Sequence, residues 1–149
     1  MDIFIFRKVK RMDKLEYIPG DLISVYVGVK KYIVEVIGTE NENEVLLYQI
    51  KFPNGEIQYA DKDNIVPIPL TPEILEKNGW DFTGYNTNFN GTLLNICSKR
   101  DILPYLYYYY ATKGFSVSIC GKIVLPNIKY IHELQHLLFG LGIKHEMEV

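Results

Sequence analysis

Apolar and polar positions alternate through much of this chain, and the alternation breaks at clusters of Gly, Pro, Asn and Asp. Period-two alternation is the mark of half-buried strands, and the breaking residues mark turns. Between residues 17 and 69 the pattern predicts five short strands, over 22–27, 31–37, 45–52, 56–60 and 64–68. Pro53-Asn54-Gly55 reads as a tight hairpin turn, and the polar residues 38–44 read as a loop. So many short strands in so few residues predict a small SH3-like β-barrel, in which near-closure protects the edges.

Residues 70–79 carry a helix signature, with Thr71 as N-cap, Pro72 in the first turn, Glu73 at the positive dipole end and Asn78-Gly79 as the stop. Strand chemistry returns over 92–97, 105–110, 115–120 and 123–125, while residues 83–91 read as loop or ragged edge. From Asn127, taken as N-cap, to position 141 the spacing predicts a second helix, with Ile128, Ile131, Leu134, Leu138 and Leu141 on one stripe. The expected fold is therefore α+β. Residues 1–16 form a leader, 17–69 the SH3-like barrel, and 70–149 a connector helix, antiparallel strands and a covering C-terminal helix.

Composition changes this picture little. Hydrophobic residues make up 48% of 149 residues, enough for a packed core. The formal net charge of -2 argues against a nucleic-acid or membrane field over the whole surface. A local basic patch remains in Arg7, Lys8, Lys10 and Arg11, an arm suited to nucleic acid, and the alternative for this stretch is a loose leader preceding a second start at Met12. Two cysteines without a C-x-x-C pair, no membrane-length apolar run and no signal-peptide pattern lead us to expect a soluble cytoplasmic protein that does not engage membranes. Phosphate-binding, dinucleotide-binding and serine-hydrolase motifs are absent from the sequence, and no acidic pair resembles that of a glycosidase.

The sharpest motif is His132-Glu133-Leu134-Gln135-His136, an H-E-x-x-H match. Imidazoles at i and i+4 share a helix side and are suited to hold zinc, with Glu133 as general base on a bound water. A catalytic zinc wants a third protein ligand. Phe139 and Gly142 stand where a metzincin would carry its Gly and last His, and His145, Glu146 and Glu148 are available only from what reads as a flexible tail. The helical wheel puts both histidines on the flank of the apolar stripe and Glu133 away from the core. A structural zinc on Cys97, Cys120, His132 and His136 is a further arrangement, with an atypical cysteine spacing.

Twelve tyrosines offer other surfaces. Tyr26, Tyr32, Tyr48 and Tyr59, with Phe52, are placed to form an aromatic cage or peptide groove on the barrel. Tyr107 and Tyr109 share one strand face, a possible stacking platform, and cross-strand packing is the plainer use of the same rings.

Three stretches, Pro19-Gly20-Asp21-Leu22, the segment 66–80 with its Ile68-Pro69-Leu70-Thr71-Pro72-Glu73-Ile74-Leu75 centre, and the segment 128–137, resemble a group of small uncharacterised proteins of gut Bacteroidetes genomes, their prophages and their phages. The resemblance covers most of residues 17–142. It implies a phage-related setting. Many members look like H-Q-L-Q-N where this chain has H-E-L-Q-H, which weakens the zinc reading. The expectation that follows is a non-enzymatic binding or adaptor protein with a protein partner and no cofactor. The alternatives are a minimal zinc hydrolase using His132, His136 and Glu133, and a nucleic-acid-associated module.

Overall fold

A computed structural model describes residues 16–82, 87–89 and 91–149. The basic positions Arg7, Lys8, Lys10 and Arg11, and with them the nucleic-acid arm, lie outside the described residues, as do 83–86 and 90 of the expected ragged edge. The chain is α+β, mostly antiparallel sheet, and divides into two compact units, Met1–Pro67 and Ile68–Val149.

In the first unit, β1 (Leu22–Val27), β2 (Lys30–Glu42), β3 (Val45–Lys51), β4 (Ile57–Asp61) and β5 (Ile65–Val66) pair in the order β4-β3-β2-β1-β5. A 3-10 turn over Lys62–Asn64 leads into β5, and Asp61 caps it by accepting from the N–H groups of Asp63 and Asn64. Among the described residues β4 and β5 share no ladder, so the expected closed barrel is not formed by the strand pairing. The alternation does its work on one face. Ile23, Val25, Val34, Val36, Tyr48, Ile50 and Ala60 are buried together with Tyr17 and Phe52.

The polar stretch 38–44, expected as loop, is mostly strand. After an irregularity in register between Val36 and Gly38, β2 stays paired with β3 out to Glu42↔Val45. The connection shrinks to Asn43 and Glu44, both at positive φ (50° and 64°), the geometry of a tight type I′ turn. Side-chain polarity does not prevent strand formation where both faces meet solvent, because the ladder satisfies the backbone.

In the second unit, α1 (Pro72–Lys77) forms as its signature predicts, with Thr71 Oγ1 accepting from Ile74 N at 3.2 Å. The sheet runs β11-β10-β9-β8-β6, through β6 (Asp81–Phe82), β8 (Thr92–Ser98), β9 (Tyr105–Tyr109), β10 (Gly114–Ile119) and β11 (Lys122–Ile128), with β7 (Thr87–Phe89) also paired to β8. Leu106, Phe115 and Val117 of the sheet, Leu75 of α1, and Ile131, Leu134 and Leu138 of α2 (Ile131–Gly140) are buried and supply this unit's core.

The start of α2 corrects the sequence reading. Asn127 is not its cap, because β11 continues through it and Ile128 pairs with Phe115. The next backbone groups are also taken. Lys129 O accepts from Leu70 N, Tyr130 bridges Pro69, and Ile131 N donates to Ile68 O. The helix therefore begins at Ile131 with Tyr130 as N-cap. The same bonds draw residues 68–70 into the second unit, slightly earlier than the expected boundary.

Candidate functional site

The first sheet carries a groove beside the end of β3, and two of the residues that line it, Val34 and Phe52, also belong to the core. Cross-strand register sets Leu22 opposite Glu35, and Glu35 opposite Lys51, so β1, β2 and β3 contribute one row. Ile33, two residues along β2, shares that face and is 43% exposed. β3 ends at Lys51, and Phe52-Pro53 then opens the hairpin loop, closed by Phe52 N donating to Glu56 O at 2.8 Å and Gly55 N to Phe52 O at 2.9 Å. These residues line a cleft of about 280 Å³. Leu22, Ile33, Phe52 and Pro53 give it an apolar floor, with Glu35 and Lys51 as an opposite-charge cross-strand pair beside them. Such a floor with charges at its rim suits a short amphipathic segment more than a reacting small molecule.

The five aromatic residues proposed for a cage do not gather in one place. Tyr48 is a core residue, its ring edge-on to Tyr17 at 5.3 Å and its hydroxyl accepting from Glu16 N at 3.2 Å. Tyr32 meets Phe52 edge to face at 5.6 Å. Register puts Tyr32 on the face of Val25, and Tyr26 on the other face with Ile33. Tyr59 is exposed on β4 across from Gln49. Pattern reading missed Leu22, Ile33, Glu35, Lys51 and Pro53. Only the strand register brings them together, although an exposed isoleucine within an alternating strand was a usable signal.

The tyrosine strand is engaged in packing. Tyr107 and Tyr109 do share a face, and their hydroxyls reach across β10 to Ser118 Oγ (3.4 Å) and Ser116 Oγ (2.8 Å), both serines being buried. On the other face Tyr108 lies against Tyr110 and Phe115, with centroids at 5.1 and 4.9 Å. Asn95 Nδ2 donates to the Tyr110 hydroxyl at 3.2 Å.

The H-E-x-x-H segment has an internal use for its glutamate. Glu133 Oε1 accepts from the N–H groups of Lys129 (3.1 Å) and Tyr130 (3.0 Å), which ties the carboxylate to the helix start. His132 is only 6% exposed, not on a wet flank, and stacks on Tyr130 at 5.9 Å. His136 meets it edge-on at 5.5 Å. Gln135, fully buried, donates from Nε2 to His145 O at 3.1 Å. The following segment is accordingly held in place, and the expectation of a loose tail is corrected.

Cys97 is buried, and burial pushes its thiol up to about 12, helped by the charges of Glu76 and Asp81, while Cys120 is exposed in the β10–β11 turn. Among the described residues no three His, Cys, Asp or Glu side chains form a group placed to hold a metal ion. Among them, too, no helix is long and apolar enough to cross a membrane. Comparison of the chain with protein-family models, curated proteins and solved structures found no match.

Proposed function

We propose that this protein is a non-enzymatic binding or adaptor protein whose first unit is an SH3-like module that takes a short extended peptide in the groove between β1, β2 and β3. The observation that carries the reading is the cleft itself, an apolar floor rimmed by Glu35 and Lys51. The pairing order β4-β3-β2-β1-β5, with a 3-10 turn just before β5, supports the SH3-like assignment. The resemblance of residues 17–142 to Bacteroidetes phage and prophage proteins supports a phage-related role. Peptide grooves of this kind gain affinity from one or two apolar anchors and gain register from flanking charges.

The test is selection of binders to the full-length chain from a random peptide library, followed by anisotropy titration of the enriched peptide. Ile33→Asp places a charge on the groove floor at a position exposed enough to tolerate it, and is expected to weaken binding at least about tenfold. Ile123→Asp, on the half-exposed β11, is expected to leave binding unchanged. Failure to enrich any peptide family, or equal binding by Ile33→Asp, would overturn the assignment.

A further inference from the structure

Residues 143–149, after α2, lie extended along the second unit. Ile143, His145 and Met147 are partly buried, whereas Lys144, Glu146 and Glu148 are exposed, which is the two-residue period of a strand. Yet the segment belongs to neither sheet. Its backbone is held by side chains instead. The Asn78 amide donates to Glu148 O at 2.8 Å and accepts from Glu148 N at 2.8 Å. An amide that both donates to and accepts from one residue reproduces the bond pair a neighbouring strand would make. Gln135 makes a further contact with His145 O, and Lys77 Nζ donates to Val149 O at 2.9 Å. The Phe139 ring closes edge-on against His145 at 5.1 Å.

Asn78 is anchored by its own helix, and Gln135 sits within the second helix. Asn78 is the C-cap of α1, and its Nδ2 also donates to Ile74 O at 2.7 Å. Gln135 is fully buried in α2. A cleft of about 340 Å³ lies between the segment and α1, lined by Lys77, Asn78 and Lys99 on one side and by Lys144, Glu146, Met147 and Glu148 of the segment on the other. Contacts made to main-chain atoms select an extended backbone rather than a particular sequence, while the inward positions admit apolar side chains.

We propose that Asn78 and Gln135 mark a second peptide-binding groove, one that reads the main chain of an extended segment with inward-facing side chains at alternate positions. Residues 143–149 are its resident occupant, and a free peptide of the same pattern displaces them. This site lies wholly within the second unit and does not depend on the groove of the first. A tethered occupant competes at an effective concentration of order millimolar, so the groove is masked in the intact chain.

The experiment titrates full-length protein into a labelled peptide of the sequence Ile-Lys-His-Glu-Met-Glu-Val. Wild-type protein is expected to bind it only at millimolar concentration. The double variant Ile143→Asp, Met147→Asp, which expels the resident segment, is expected to bind at least about tenfold more tightly. Adding Asn78→Ala, or separately Gln135→Met on the other helix, is expected to abolish that gain. Since the two substitutions lie on different elements, a local folding defect in one helix does not produce both losses. In the otherwise native chain, Asn78→Ala is expected to speed amide hydrogen exchange across 143–149 about tenfold. No gain in the double variant, or a gain that survives both Asn78→Ala and Gln135→Met, overturns the proposal, as does unchanged exchange in Asn78→Ala.

Discussion

Glu133 has two candidate employments, and they respond differently to substitution. As a helix cap it needs only an acceptor oxygen, which Gln also supplies. Glu133→Gln is therefore expected to retain most of the stability of the chain, and Glu133→Ala to lose about 1 kcal/mol in urea unfolding, with the m-value unchanged. A general base would be disabled by both changes. Cys97 gives a second residue-scale expectation. Its folded value of about 12 lies above the ordinary 9.0, so between those limits the folded chain keeps a proton that the unfolded chain has released. Stability then falls as pH rises through that window, by up to about 1.4 kcal/mol per pH unit from this thiol, and is unaffected by it below pH ~9. Urea unfolding of Cys97→Ala alongside the wild type isolates the contribution of the thiol. The variant is expected to be less stable at pH 8, where only the lost packing counts, and the gap is expected to narrow with rising pH. A gap independent of pH would mean that the thiol is not held back by burial.

Elements were read from the sequence where local pattern and tertiary context agree. Thr71-Pro72-Glu73 and Asn78-Gly79 delimit α1 because capping is local chemistry, complete within a few residues. The strict alternation of residues 115–120 places β10, but the wet face it implies is not there, because Ser116 and Ser118 are buried along with Phe115 and Val117. Asn127 misled because its cap signal competes with a ladder to Phe115, and with residues 68–70, which are distant in sequence. His132 was expected on the flank of the apolar stripe, and its burial depends on partners that only the folded chain supplies. Pro126 sits within β11, which is tolerated because β11 is an edge strand with two register irregularities. The β10–β11 connection is a two-residue turn in which Cys120 and Gly121 both have positive φ (53° and 81°). Asn is better suited than Cys to the left-handed region, so Cys120→Asn creates the favoured Asn-Gly pair. It is expected to raise stability by about 0.5 kcal/mol, seen as a higher thermal midpoint at unchanged enthalpy. A lower midpoint would show that the exposed thiol makes contacts the turn geometry does not account for.

At the scale of the whole molecule, the chain divides into two compact units, and the candidate site of the first was not legible in the sequence. The groove of the first unit depends on register across three strands, and register is set by turns and bulges, such as the one near Gly38, that composition does not announce. A five-residue motif, by contrast, is fully visible in sequence and says little about whether a third ligand converges on it. Metal linkage tests that point on the intact chain, because any ion bound by the folded state alone raises global stability by RT ln(1 + [L]/Kd). Zinc added at about a hundred times the dissociation constant of a real site would contribute about 2.7 kcal/mol, a shift that thermal unfolding resolves easily. His132 and His136 stand edge to face on α2 without a third such side chain grouped with them among the described residues, and Glu133 is committed to the helix start. The expected outcome is a thermal midpoint that moves by less than about 1 °C with micromolar zinc, and metal content well below one ion per chain after dialysis. A rise of several degrees that disappears in His136→Ala would restore the metal reading, and with it a catalytic alternative to the binding role proposed for this protein.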